Sequence, residues 1–289
     1  MREYVITTDS TVDLPKEYLR EHQVQAVSLS YEIEGETYED LNGLEPAVFY
    51  EKMRNGAMPT TSQANPEQVR ELFEGILKEG KDILHIAFSS GLSGSYNSAR
   101  IAAEELKEMY EGAEICVIDS LCASVGEGLL YHKARCMKEK GKTLQEVAAW
   151  VEKNKLHICH NVAVDDLNHL YRGGRLSRTS AVVGSMINIK PFIHMDENGK
   201  LVPIGKVRGR KKSLNILVDA MEEQIKGYEE ENDVIMISHG DCIEDARYVG
   251  KLVEERFGIH NILINYVGTV IGSHTGTGVV ALCFMGNKR

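Results

Sequence analysis

The sequence predicts an α/β protein of two domains, an N-terminal parallel-sheet α/β/α domain and a C-terminal α/β domain with a mixed sheet. Three observations predict it. The first half alternates short β-rich runs with helical patterns, which implies right-handed crossovers and a largely parallel sheet between helices. The second half contains an Asn198-Gly199 turn between two strand-like runs, the mark of an antiparallel hairpin, followed by further βα pieces. At 289 residues the chain is also near the upper limit of what one hydrophobic core serves, which favours two domains. The boundary is placed at 156, giving domains 1–156 and 157–289.

The elements follow in order. Residues 4–8 read as a strand and 25–34 as an extended segment. In 66–78, Val69, Leu72, Phe73, Ile76 and Leu77 fall at helical spacing. A strand at 83–88 leads into a helix whose buried stripe is Tyr96, Ala99, Ala103, Leu106 and Tyr110. Another strand at 114–118 is followed by two helical stretches ending near Lys155. In the second half, strands at 189–195 and 201–207 flank the turn, and a helix carries Leu214, Leu217, Val218, Met221 and Ile225. A strand at 234–238, a helix at 244–256, a strand at 261–267 and an apolar run at 279–284 complete the chain.

Composition narrows the function. With 43% hydrophobic and 26% charged residues the chain has the proportions of an ordinary soluble globular protein. Its 43 acidic against 33 basic residues give a net charge of −10, which argues against a nucleic-acid binder needing a broad basic face. The longest apolar run, from Val279 to Met285, is far short of the ~20 residues of a membrane span. The first residues lack the apolar core and cleavage site of a signal peptide. The cysteines at 116, 122, 136, 159, 242 and 283 form no CxxC pair and read as reduced thiols. A cytoplasmic protein is expected.

Four loops of small polar residues are candidates for chemistry: Thr7-Thr8-Asp9-Ser10-Thr11, Pro59-Thr60-Thr61-Ser62-Gln63, Ser89-Ser90-Gly91-Leu92-Ser93-Gly94-Ser95 and Gly272-Ser273-His274-Thr275-Gly276-Thr277-Gly278. Each follows or interrupts a predicted strand, where open α/β sheets bind ligands. Hydroxyls and free amides there suit an oxyanion, above all where 89–95 precedes a long helix. Plain helix capping is the alternative for each.

Other patterns dissolve on inspection. Gly75-Ile76-Leu77-Lys78-Glu79-Gly80-Lys81 imitates a P-loop, but Asp82 stands where Ser or Thr would hold Mg²⁺. Gly276-Thr277-Gly278 has dinucleotide-like spacing with no room after it for a βα unit. No cofactor follows. His157, Cys159 and His160 look like metal ligands, yet a strand turns 157 and 159 away from 160, so no metal is expected. Asp165-Asp166 reads as a helix cap. A hydrolase with Ser93 as nucleophile, His274 as base and Asp9 as orienter fits the residue types, although no Gly-x-Ser-x-Gly elbow surrounds any serine.

The basic segment Lys206-Val207-Arg208-Gly209-Arg210-Lys211-Lys212 holds five positive charges, and Arg172-Gly173-Gly174-Arg175-Leu176-Ser177-Arg178 adds three. Cations are disfavoured at a helix start. A solvated helix start is one reading, and docking to an acidic partner or an anionic membrane surface is the other.

Taken together, Thr8-Asp9-Ser10-Thr11-Val12-Asp13-Leu14, Pro59-Thr60-Thr61-Ser62-Gln63, Ser89-Ser90-Gly91-Leu92-Ser93-Gly94, Gly173-Gly174-Arg175, Ile189-Lys190-Pro191 and His274-Thr275-Gly276 resemble the DegV family, in order over almost the whole chain. Its members include the fatty acid-binding subunits of bacterial fatty acid kinase. Thr277 and Ala64 stand where the family pattern commonly has proline.

The resemblance implies one long-chain fatty acid buried between two α/β domains and no active site of the chain's own. It implies a carboxylate held by Thr61 and Ser93 with His274 close by, so that Thr60, Ser62, Gly94 and Thr275 belong to the same binding loops. An ATP-dependent fatty acid kinase subunit would phosphorylate that carboxylate to an acyl phosphate. Arg172, Arg175 and Arg210 are the expected docking residues toward the kinase, and the same segments suit transient contact with an anionic membrane. About fifteen buried methylenes at ~0.8 kcal/mol each bound the tail's contribution near 12 kcal/mol. Each hydrogen bond to a charged head adds about 1.5–3 kcal/mol. The Thr61, Ser93 and His274 loops contain no Lys or Arg, so the head is expected to be protonated or balanced by His274. The rival readings are the hydrolase, a hydroxy-ketone kinase-like enzyme, and a regulatory protein for another amphiphilic anion.

Overall fold

The computed structural model describes residues 2–165, 167–176 and 188–289. Asp166, Ser177 and Arg178, which entered two of the sequence patterns, lie outside the described residues.

Strand β1 (Tyr4–Asp9) is almost wholly buried, as a parallel strand covered on both faces should be. A short helix α1 (Lys16–Glu21) returns the chain to β2 (Gln25–Val27), parallel to β1. Strands β3 (Ser30–Ile33) and β4 (Glu36–Glu39) form a tight hairpin, with Glu34 and Gly35 both at positive φ as a type I′ turn requires. Helix α2 (Pro46–Arg54) buries Phe49, Tyr50 and Met53, and β5 (Thr60–Ser62) then pairs with β3. Helix α3 (Pro66–Lys78) starts on an Asn65/Gln68 capping box with Pro66 in its first turn. Then come β6 (Asp82–Ala87), α4 (Ser95–Met109), β7 (Ile115–Asp119), α5 (Val125–Glu139) and α6 (Leu144–Asn154). The resulting four-stranded sheet has the order β2-β1-β6-β7 and is parallel throughout.

The remaining elements are β8 (Ile158–Ala163), α7 (Asn168–Arg172), β9 (Ile189–Met195), β10 (Leu201–Arg208), α8 (Arg210–Gln224), β11 (Ile235–His239), α9 (Ile243–Phe257), β12 (Ile262–Tyr266), α10 (Thr269–Thr275) and β13 (Val280–Met285). Their sheet runs β10-β9-β8-β13-β11-β12, with β11 and β12 parallel and the other pairs antiparallel. The parallel-plus-mixed α/β architecture predicted from the sequence is therefore the one observed.

Helix α5 lies between the two sheets. It packs on β1 and β6 on one side and on β8, β11 and β13 on the other. Its sequence permits this because Val125, Leu129, Leu130 and Ala134 are buried and two glycines let neighbours close in. A Cβ at Gly126 would stand 2.0 Å from His160 Nε2, and one at Gly128 2.6 Å from the Val12 carbonyl. One apolar cluster consequently runs from Tyr4 and Ile6 through α5 to Met236 and Cys283. Among the described residues no helix is long and apolar enough to cross a membrane.

Two expectations change. Residues 60–62 read as loop but form β5, because Thr61 pairs with Tyr31 at the edge of the small β4-β3-β5 sheet. The 272–278 segment is not a strand-end loop: residues up to Thr275 complete α10, and Gly276 and Gly278, both at positive φ, turn the chain into β13.

Candidate functional site

The alternation of side chains along the second sheet divides its two faces cleanly. Cys159 and Ala163 of β8, Ile237 of β11, and Val280 and Leu282 of β13 face α8 and α9. Their alternates His160, Val162, Ser238 and Ala281 face the first half of the chain and line a cavity. Ser238, Ala281, Val162 and Ile193 are paired successively across β11, β13, β8 and β9, forming one continuous row of its floor. Leu29, Phe88 and Leu92 from the first half, with Val270 and Ile271 of α10, cover it. Its lining is largely apolar.

Polar groups gather in two places. The outer group contains Thr61, Ser62, Gln63, Ser93, Arg175, His274 and Thr275, and Ser62 and Gln63 are exposed, so this is the mouth. Thr61 Oγ1 and His274 Nε2 are 2.7 Å apart, joining β5 to α10 across the opening. His274 Nδ1 is buried against Gly173, where a Cβ would come within 2.0 Å of it. Burial, reinforced by the Arg175, Arg172 and His169 charges, pushes the His274 pKa down to about 4. The imidazole is therefore neutral near pH 7.

Ser93 Oγ lies 3.0 Å from Ser95 Oγ and accepts from the Ser95 amide at 3.3 Å, at the start of α4. Gly94 meets Gln63 so closely that a Cβ would sit 2.0 Å from its Oε1. The Ala64 amide donates to Ser95 Oγ, so the two hydroxyl loops are knitted together. Thr275 returns its hydroxyl to the Ile271 carbonyl at 3.2 Å. Thr60 is exposed and pairs with Glu32 in the small sheet.

Arg175, one of the three arginines assigned from sequence to docking, lines the cavity. Arg175 donates from Nε to the Leu92 carbonyl at 3.0 Å and from Nη1 to the Gly173 carbonyl at 2.6 Å, and its side chain is half-buried. Two of its five donors are spent there, and burial of the cation lowers its pKa. It supplies the positive charge that the Thr61, Ser93 and His274 loops lack, which the sequence reading sought in His274. Arg210 donates to Asp245 at 2.8 Å and stands 3.6 Å from Asp165, in a separate surface groove. Arg172 is exposed beside the mouth, with Nη2 3.4 Å from the Ser273 carbonyl.

The Ser93–His274–Asp9 hydrolase is not assembled. Ser93 bonds to Ser95, His274 bonds to Thr61, and Asp9 accepts from the Phe88 amide at 2.8 Å beside His85. Asp9 ends β1 in the middle of the first sheet, whereas His274 rides on α10. The second polar group is the buried trio Ser124, His160 and Ser238, of which the sequence analysis had considered only His160, as a metal ligand. Among the described residues no cluster suited to a metal ion is present.

A parallel sheet and a mixed sheet thus flank an apolar cavity with a hydroxyl-rich and cationic mouth, in an α/β protein. Residues 3–287 match the family model described as "Uncharacterised protein, DegV family". A DegV domain-containing protein of Clostridium perfringens is 44% identical, over 100% of this chain and 99% of that one. The chain belongs to the DegV family. Among solved structures, a stearic acid-binding protein of Eubacterium ventriosum is similar with a TM-score of 0.90 at 27% identity, over 98% of both chains. DegV from Bacillus subtilis, described as a fatty acid binding protein, is similar with a TM-score of 0.84 at 28% identity, over 99% of this chain and 100% of that one.

Proposed function

We propose that the protein binds a long-chain fatty acid in this cavity and presents its carboxylate at the mouth to a partner kinase. The observation that carries the reading is the polarity of one cavity: an apolar row on β8, β9 and β13 forms its floor, and Arg175, Thr61, Ser93 and His274 stand among its polar lining residues. A buried carboxylate needs a cation and donors, and Arg175 with the two hydroxyls provides both. The tail supplies most of the affinity through burial. In this reading 1–156 and 157–289 act as two halves closing on one chain. The fatty acids bound by the similar proteins of Eubacterium ventriosum and Bacillus subtilis support it.

The kinase step rests on the mouth being the place where the head is reached from outside. An ATP-dependent fatty acid kinase subunit would transfer the γ-phosphoryl group to a carboxylate oxygen, giving an acyl phosphate and ADP. Exposed Arg172 is the docking charge best placed for it, because Arg175 faces inward and Arg210 is engaged with Asp165 and Asp245.

Native mass spectrometry of the purified protein tests the binding step. A stoichiometric excess mass that extracts as a fatty acid supports it, and an empty protein that fails to take up oleate or palmitate overturns it. Arg172→Glu should then abolish kinase-dependent turnover while sparing fatty acid binding; loss of binding would make Arg172 structural.

A further inference from the structure

The inner end of the cavity carries hydroxyls for which a plain hydrocarbon tail has no use. Ser238 is fully buried, lines the cavity and stands at one end of a floor row whose other members, Ala281, Val162 and Ile193, are apolar. Its Oγ is 2.9 Å from Ser124 Oγ, and Ser124 in turn hydrogen-bonds the buried Asp13 carboxyl. A serine hydroxyl has one donor and two acceptor positions. The bond to Ser124 uses one of Ser238's three.

Its neighbour His160 differs in this respect. His160 Nε2 accepts from the Ala123 amide at 3.3 Å and Nδ1 donates to the Ile158 carbonyl at 3.0 Å, so both ring nitrogens are engaged. Burial keeps this ring neutral, with a pKa down to about 3. The Asp13–Ser124–Ser238 chain thus ends on a cavity-lining residue whose hydroxyl has one side-chain partner, Ser124, and two further hydrogen-bonding positions. Alanine or valine would fill that place at lower desolvation cost if the ligand were hydrocarbon throughout.

Building on the fatty-acid reading, we propose that Ser238, supported by Ser124, recognises a hydroxyl group on the ligand's tail, making the cavity selective for a hydroxylated long-chain fatty acid over its unsubstituted parent. Selectivity should depend sharply on position, because a hydroxyl buried elsewhere along the apolar floor has no partner and is penalised.

The test is displacement of a bound fluorescent fatty acid from the full chain by stearate and by monohydroxystearates whose hydroxyl is moved stepwise from the carboxyl end to the terminal methyl. One isomer, or two adjacent ones, should bind about tenfold more tightly than stearate. In Ser238→Ala the ratio between that isomer and stearate should fall to one or below. If every isomer binds no better than stearate, or the preference survives in Ser238→Ala, the inference is wrong. The wild-type series remains decisive even if the variant fails to fold. Stearate binding without positional preference overturns this inference alone, whereas failure of stearate and every isomer overturns the fatty-acid reading with it.

Discussion

Asp40 Oδ1 accepts from the Thr269 hydroxyl at 2.6 Å and from the Val270 amide at 3.0 Å, so a carboxyl from the first half of the chain caps the helix that carries His274. Tyr50 adds a hydroxyl bond to the Val267 carbonyl at 2.8 Å just upstream. Negative charge is favourable at a helix start. Since Val270, Ile271, His274 and Thr275 all line the cavity, one side chain outside the cavity positions a whole wall of it.

Asp40→Ala should therefore lower both stability and ligand affinity. Leaving the Val270 amide and Thr269 hydroxyl without their acceptor costs about 1–3 kcal/mol. Asp40→Asn keeps a carbonyl acceptor and should lose less. Urea unfolding with and without oleate separates the effects: the gain in stability on adding oleate should shrink in Asp40→Ala. An unchanged gain would show that α10 holds its place without the cap.

Arg175→Gln should weaken fatty acid binding by roughly ten- to a hundredfold, the loss of one to two charge-assisted hydrogen bonds. The methyl ester of the same acid, which has no carboxylate to pair, should lose much less. Isothermal titration with the acid and its ester reads the difference directly. Equal losses for both ligands would mean that Arg175 acts through packing. Arg210→Gln, which removes a charge engaged with Asp165 and Asp245, should leave the affinity near wild type.

The contrast between Arg175 and the helices shows what was legible in the sequence. Periodicity located α3, α4, α8 and α9 because their apolar stripes are local. Strand β5 has no such stripe; it is three polar residues made into a strand by pairing with β3. Helix α10, with Thr, Gly and Ser among its seven residues, owes its start to contacts with Asp40, far away in sequence. Thr61, Ser93 and His274 were found through motifs, and the structure brings all three to one mouth. Arg175 stood in a recognised motif too, but its partner Leu92 is 83 positions away, so its inward turn left no local trace. His160, Val162 and Val164 alternate in the sequence itself, a signal for one cavity face that went unused.

His274 should titrate far below an ordinary histidine in the fatty-acid-free protein. Burial and the neighbouring arginines depress its folded pKa to about 4 from 6.5. A depressed histidine contributes stability that is fully present above 6.5 and is lost as pH falls toward 4. Fatty acid affinity should accordingly show no inflection from this ring between about pH 5.5 and 8. An NMR titration of the imidazole resonances checks it, and a midpoint at or above 6.5 would refute the neutral assignment.

Asp9 offers the opposite case, a carboxyl whose ionisation the fold resists. Its side chain is buried, one oxygen accepts from the Phe88 amide at 2.8 Å, and the other has no partner. Burial raises its pKa from 3.8 to about 7, with the Phe88 bond opposing. Nearby Glu127, held by Thr8 and Thr11 at 3.0 and 2.9 Å, is raised as well, by burial and then by the Asp9 charge. Between 3.8 and about 7 the folded state binds a proton at Asp9 that the unfolded chain has released, so stability from this group declines as pH rises through that window. Asp9→Asn keeps the acceptor for Phe88 and removes the titration. The stability of the variant relative to wild type should be level near pH 4, grow through the window and flatten above about pH 7. The total change is roughly 4 kcal/mol at most, from about three pKa units in a fully buried group. His85, 3.8 Å from Asp9 and pushed down to about 3 by burial, is present in both proteins and largely cancels from the difference. Urea unfolding of the two proteins at closely spaced pH values measures that difference. Curves that stay parallel across the window would mean that Asp9 is ionised in the native protein and that its charge is compensated within the first sheet.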